Sequence, residues 1–320
     1  MFTGSLAAAE LNLETVVSDH ILVEYEDLVE TATELDTAAQ ANCVPTDQSL
    51  RAAYYDAFDA WLGVSHLRFG PSEVDDRAFA LAFWPDPRGS TPKTLSALIR
   101  DADPVVADAS QFAAVSIAAR GFYALEFLLF DDQFLTSQNP EYRCKLVQAI
   151  AADIRKNSDA ILAGWANGYA DLLSSPGNDT YRTRNEALQQ LFTSLATGLE
   201  FTSEQRLARP MGTIDRPRPA RAEARRSERS LRHVVLSLRT VQDLARYFVG
   251  EGSKIDLAFD DAIETATALD DPVFAGVTDL SGRLRVEALK LKIDDIRKDL
   301  AFEVGESLGI AAGFNALDGD

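Results

Sequence analysis

Histidine is scarce in this chain: His20, His66 and His233 are the only three in 320 residues. None lies in H-E-x-x-H or E-x-x-H, which excludes the helical zinc-peptidase motif and the usual carboxylate-bridged di-iron pattern. G-x-x-x-x-G-K, G-x-G-x-x-G and G-x-S-x-G are also missing, so no local motif supports a nucleotide site or a serine hydrolase. The two cysteines, Cys43 and Cys144, are far apart and neither belongs to C-x-x-C, which removes redox-motif and zinc-knuckle readings. They are either two buried thiols or one long-range disulfide, and a disulfide would imply an oxidising compartment. Apolar runs are short, Phe127-Leu128-Leu129-Phe130 being typical, so no transmembrane segment is expected. Residues 1–10 lack a basic start and a long apolar stretch. That leaves a cytoplasmic protein or one whose export signal has been removed.

Positive charge is also in short supply. The formal net charge is −19, a surface that repels nucleic acid and anionic lipid over most of the molecule, and no nucleic-acid partner is expected. One window is the exception. Residues 206–232 hold nine arginines, no lysine and three acids, a local charge of +6. Arginine suits bidentate contacts to carboxylate or phosphate, so the window reads as a solvated basic face or as an anion-facing cluster.

What is present is helical periodicity. Leu28, Ala32, Leu35 and Ala39 step by four, three and four; Leu188, Leu191, Leu195 and Leu199 do likewise, and Leu289, Ile293, Ile296, Leu300 and Val304 extend the pattern. Alternation of the β type is hard to find. The spacing predicts an all-α protein with helices near 11–42, 48–67, 105–131, 139–172, 181–208, 221–249, 253–269 and 280–309. At this length two domains are expected. The Ser174-Ser175-Pro176-Gly177-Asn178 break divides the chain into two helical bundles of about four helices each, 1–174 and 178–320. Residues 69–93, with four prolines and four aromatic side chains, read as a long loop, either a hydrophobic plug or a functional element.

The most informative stretch is residues 117–130. It is apolar nearly all round, so its helix should be buried, yet it contains Glu126. A buried carboxylate needs a partner or a proton. Tyr123 lies three residues earlier on the same face. Gly121 stands where alanine would favour the helix, which points to a close approach of backbone or ligand. A structural bond from Glu126 to an arginine of another helix is the plain alternative.

Gly121-Phe122-Tyr123-Ala124-Leu125-Glu126 resembles the G-x-H-x-x-E signature of the imelysin family. Further segments carry the resemblance: Trp61 followed by Arg68-Phe69-Gly70-Pro71, the Phe83-Trp84-Pro85-Asp86 loop, Arg226-Ser227-Glu228-Arg229-Ser230-Leu231, and the tail Gly313-Phe314-Asn315-Ala316-Leu317-Asp318-Gly319-Asp320. The resemblance implies two helical bundles with an interdomain pocket beside the signature helix. It also implies an exported protein, periplasmic or membrane-associated on the extracytoplasmic side, with links to iron uptake and a peptidase label. That setting favours pairing of Cys43 with Cys144.

The departure is at the centre of the signature, where Tyr123 stands in place of histidine. Neutral imidazole is a good ligand for a divalent metal; a phenol with a pKa of about 10 is not. Phenolate does bind ferric iron, so an iron or other metal ion on Tyr123 and Glu126 stays among the cofactor readings. The expected function is a binding protein for a small ligand or metal complex, with iron-uptake components as partners. Trp61, Arg68, Gly121, Tyr123, Glu126, Arg226, Ser227 and Ser230 form its ligand site, and Arg68 or Arg226 is the expected partner of Glu126. The alternative is a metal-dependent peptidase using Glu126. Arg226 and Ser230, four apart, are expected on one helical face, while Arg216, Arg218 and Arg221 are expected in solvent.

Overall fold

The computed structural model describes residues 11–136 and 139–309. The fold is all-α; among these residues there is no sheet, only an isolated bridge between Thr213 and Arg216. No helix among them is long and apolar enough to cross a membrane. The tail motif at 313–320 and the start of the chain at 1–10 lie outside the described residues.

Packing divides the chain into two units. Unit one is Val23–Trp61 with Arg68–Asn167; of the described residues, unit two takes 11–22, Leu62–Leu67 and 168–309. This differs from the expected division at 174–178. The segment around the first helical turn and the short stretch after Trp61 group with the second half, and the change of unit falls in a π-helical turn, Trp165–Tyr169, inside a continuing helix.

Unit one contains α1 (Val23–Ala41), most of α2 (Gln48–Val64), α3 (Ser90–Asp101), α4 (Gly121–Phe130) and α5 (Pro140–Gly164). α5 lies along α1 and also packs on α4. The stripe predicted for α1 is the buried one: Leu28, Ala32, Leu35 and Ala39 are fully covered. Asp47 caps α2 through the Leu50 amide, and Asn139 with Pro140 at the first helical position starts α5. Cys43 and Cys144 form a disulfide with Cα atoms 5.1 Å apart, tying the end of α1 to the start of α5.

Two expectations for this unit need correction. Residues 69–93 are not a plain loop: they hold two 3₁₀ turns, the short helix Arg77–Leu81 and the start of α3. The Asp86 carboxylate accepts from the amides of Ser90 and Thr91, so Asp86 starts α3 despite Pro92. Residues 105–131 are not one helix either. Short turns at Pro104–Ala107, Ala109–Phe112 and Ile117–Ala119 precede α4, because Arg120 is extended and Gly121 has φ +73°.

Unit two contains α6 (Arg184–Glu200), α7 (Ser230–Val249), α8 (Lys254–Thr267) and α9 (Leu280–Leu300). α6 packs on α7 and α9, and α8 packs on both α7 and α9. Leu188, Leu191, Leu195 and Leu199 of α6 meet the same core as Leu289, Ile293, Ile296 and Leu300 of α9. Thr183, Ser253 and Asp279 cap α6, α8 and α9 through side-chain oxygens. α7 starts at Ser230 and not near 221. Residues 222–229 form turns with positive φ at Ala224 and Glu228, so Arg226 and Ser230 do not share a helical face.

Candidate functional site

The signature helix α4 is positioned from both ends. Its first residue, Gly121, sits so close to the preceding segment that a Cβ would overlap the carbonyl oxygens of Ala80 and Leu81. Space and φ together require glycine here. Before it, Arg120 makes a bidentate pair with Asp153 of α5, Nε to Oδ2 2.9 Å and Nη2 to Oδ1 2.8 Å, and also donates to the Ala113 carbonyl. The pair is nearly buried, a geometry in which planar guanidinium and carboxylate match best. This fixes the entry angle of α4 in unit one.

Along α4, Phe122, Tyr123, Ala124, Leu125, Glu126, Leu128 and Leu129 are all buried. Phe122 stacks on Phe58 of α2, centroids 4.7 Å apart and planes within 9°. Phe58 also meets Tyr123 edge to face at 5.2 Å. Tyr123 is also stacked by Trp84, at 6.2 Å and 26°. The Phe83-Trp84-Pro85-Asp86 loop thus has two tasks visible in the fold. Trp84 covers Tyr123, and Asp86 caps α3. Burial would raise the Asp86 carboxyl, but the Ser90 and Thr91 amides outweigh it and hold the group below its ordinary range.

Glu126 is 2% exposed, one turn after Tyr123. The donors offered by α4 are therefore a phenol and a carboxylate. Among the described residues no group of three or more His, Cys, Asp or Glu side chains is arranged to hold a metal ion. These residues do not fit the imidazole–carboxylate centre that the signature implies.

The other predicted residues fall as follows. Trp61 is buried near the end of α2. Arg68 is committed elsewhere: it holds Glu73 through Nε at 2.7 Å and Nη2 at 3.3 Å, and lies over the Phe79 ring. It is not the partner of Glu126, since Glu73 follows it by five residues and the Gly70–Ser72 turn folds the two together. Arg226, Ser227 and Ser230 belong to unit two. Arg226 is half-buried, Ser227 Oγ donates to the Ala224 carbonyl, and Ser230 Oγ donates to the Glu223 carbonyl. The two serines thus brace the turn that leads into α7. Arg216 and Arg221 are exposed and Arg218 is half-buried.

Sequence reading missed two clusters in unit two. In the first, Glu223 Oε2 accepts from Arg206 Nε at 2.7 Å and faces His233 Nδ1 at 3.2 Å, with all three residues buried. In the second, His20 and His66 meet Nε2 to Nε2 at 3.3 Å. Burial pulls His20 down to about 4 and holds His66 well below its ordinary value, the His20 ring adding to the latter. These rings are neutral near pH 7, one donating to the other. Spacing alone does not reveal either cluster, because 46 residues separate the two histidines and 17 separate Arg206 from Glu223.

An open surface cavity of about 380 Å³, lined by Leu11, Leu13, Pro176, Arg182 and Arg184 among others, contains none of the predicted site residues.

Two crystal structures share this fold. An imelysin-like protein from Psychrobacter arcticum 273-4 is 19% identical with a TM-score of 0.79, covering 98% of this chain and 99% of its own. A protein from Parabacteroides distasonis ATCC 8503, named an iron-regulated protein A precursor, is 14% identical with a TM-score of 0.72, covering 97% and 95%. At such identities the likeness is one of fold. No curated protein sequence is significantly similar. The imelysin family model matches residues 21–300, from the first helical turns through α9 and including the whole signature helix. The chain belongs to the imelysin family.

Proposed function

We propose that this imelysin-family chain is a binding protein that works outside the cytoplasm in iron acquisition or a related uptake process, and does not hydrolyse peptides. The observation that carries the reading is Tyr123. It occupies the histidine position of the signature and packs against the rings of Phe58 and Trp84. A phenol does not supply the neutral nitrogen donor or the near-neutral base that hydrolysis at this helix needs. The iron-regulated name of the Parabacteroides protein with the same fold supports the iron association, and its description as a precursor supports export.

The ligand is a metal complex or a small anion, engaged around α4 by Tyr123 and Glu126. A second reading, a metal-dependent peptidase, rests on one feature, the burial of Glu126 in an apolar run. A carboxylate there would act as metal ligand or general base. Equilibrium dialysis with ferric citrate as the probe tests the first reading, using protein purified without chelators or metal-affinity resin. Wild type is expected to retain iron, with at least about tenfold weaker retention in Glu126→Gln and in Tyr123→Phe, the loss of one charge-assisted contact. Retention unchanged in both variants would place the ligand elsewhere and reject α4 as the site.

A further inference from the structure

The arginine-rich connector of unit two ends in a rigid, exposed turn. Thr213 and Arg216 are bridged, leaving Ile214 and Asp215 at its apex. Gly212 has φ +55° and a Cβ there would collide with the Arg216 carbonyl oxygen, at 2.5 Å, and with the Arg218 side chain, so the turn closes tightly. Arg283 of α9 holds it from below, donating to the carbonyls of Met211 at 2.6 Å, Thr213 at 3.2 Å and Gly212 at 3.3 Å. Pro217 and Pro219 stiffen the exit. The turn is therefore preorganised, although it forms no part of the helix packing.

What it presents is unusual for a chain of net charge −19. Ile214 is 75% exposed, the highest value for any large hydrophobic side chain among the described residues. Arg216, Arg218 and Arg221 make no ion pair among the described residues, whereas Arg246 of α7 and Arg283 and Arg297 of α9 do. Burial, then the charges of Arg216 and Arg221, lower Arg218, and burial, then the charge of Arg221, lower Arg209, so the guanidinium groups crowd one another. On α9, Leu280 and Leu284, one turn apart and flanking Arg283 in sequence, are exposed as well. A soluble anion would need the arginines but not the apolar apex. A lipid surface uses both, taking an apolar side chain into the headgroup boundary while phosphates meet the arginines.

We propose that residues 212–221 form a peripheral docking surface for an anionic phospholipid membrane, with Ile214 entering the interface and Arg216, Arg218 and Arg221 on the lipid phosphates. The acidic remainder of the chain does not forbid this. At about 0.1 M salt charges more than roughly 10 Å from the surface are largely screened, so the nearest groups decide the contact. The docking is independent of what α4 binds.

The test is co-sedimentation of the full chain with vesicles of phosphatidylcholine alone and of phosphatidylcholine mixed with phosphatidylglycerol. Wild type is expected to sediment with the mixed vesicles only, and less as salt rises. The triple variant Arg216→Gln/Arg218→Gln/Arg221→Gln should lose binding by on the order of a hundredfold. Ile214→Ser should lose about tenfold. Melting temperatures should stay at the wild-type value, since none of these side chains carries an ion pair. No sedimentation with either vesicle, or sedimentation unchanged in the triple variant, would overturn the proposal. Binding to polyglutamate that is insensitive to Ile214→Ser, without vesicle binding, would overturn it in favour of an acidic protein surface.

Discussion

Trp84 lies on Tyr123 with ring centroids 6.2 Å apart and planes 26° from parallel, so the residue in the signature's histidine position is built into an aromatic stack. Phe58 meets the same ring edge to face at 5.2 Å. Aromatic pairs of this kind contribute roughly 0.5–1.5 kcal/mol beyond the area they bury. Trp84 is half-buried, so Trp84→Ala is expected to lower stability by about 1–2 kcal/mol, less than emptying a core aromatic site. Iron retention should fall with it if the stack orients the phenol, as equilibrium dialysis on the folded variant would show.

Gly121→Ala should be among the most damaging single changes in unit one. The added Cβ meets two carbonyl oxygens, which cannot yield as a flexible side chain would, and φ is +73°. Backbone displacement plus strain should cost at least about 3 kcal/mol. Urea unfolding would read this as a lower midpoint at an unchanged slope.

The Cys43–Cys144 link closes a loop of about 100 residues, for which the chain-entropy account gives nearly 5 kcal/mol. The Cys43→Ser/Cys144→Ser variant should unfold at markedly lower denaturant, and reductant should shift wild type toward it without affecting the variant.

The buried histidines set an acid limit. His20 titrates near 4 folded and near 6.5 unfolded, so between those values the unfolded chain binds more protons. Stability is full above about 6.5 and falls as pH drops toward 4, by about 3 kcal/mol from His20, with His66 adding in the same direction. Tyr247 packs edge-on to His20, and burial followed by Asp19 and Asp243 raises its phenol, so it stays neutral through this range. Melting temperature against pH should slope steeply below 6.5 in wild type and more shallowly in His20→Gln.

Much of this was legible in the residues and some was not. The stripes of α1, α6 and α9 are local patterns, and they bury as their spacing says. Gly121 was legible as a close approach, but its neighbours Ala80 and Leu81 lie 40 residues back, so the break before α4 depends on tertiary contact. Pro92 concealed α3 because the cap comes from Asp86, and proline is tolerated within a first turn. Sequence offers Arg68 as a partner for Glu126, yet a short turn delivers Glu73 to it first. The Arg226-to-Ser230 segment carries helical spacing but folds as turns, held by Ser227 and Ser230 on backbone carbonyls. Grouping of Leu62–Leu67 with the second half leaves no local mark, because the break in packing falls inside the continuous helix α2.

The most direct test of the central claim is hydrolysis of an unstructured protein such as casein by wild type and by Glu126→Gln, each with and without added zinc. Tyr123 in place of histidine predicts no cleavage above the protein-free blank in any of the four reactions. Robust cleavage by wild type that is lost in Glu126→Gln would contradict the binding-protein account and restore the peptidase.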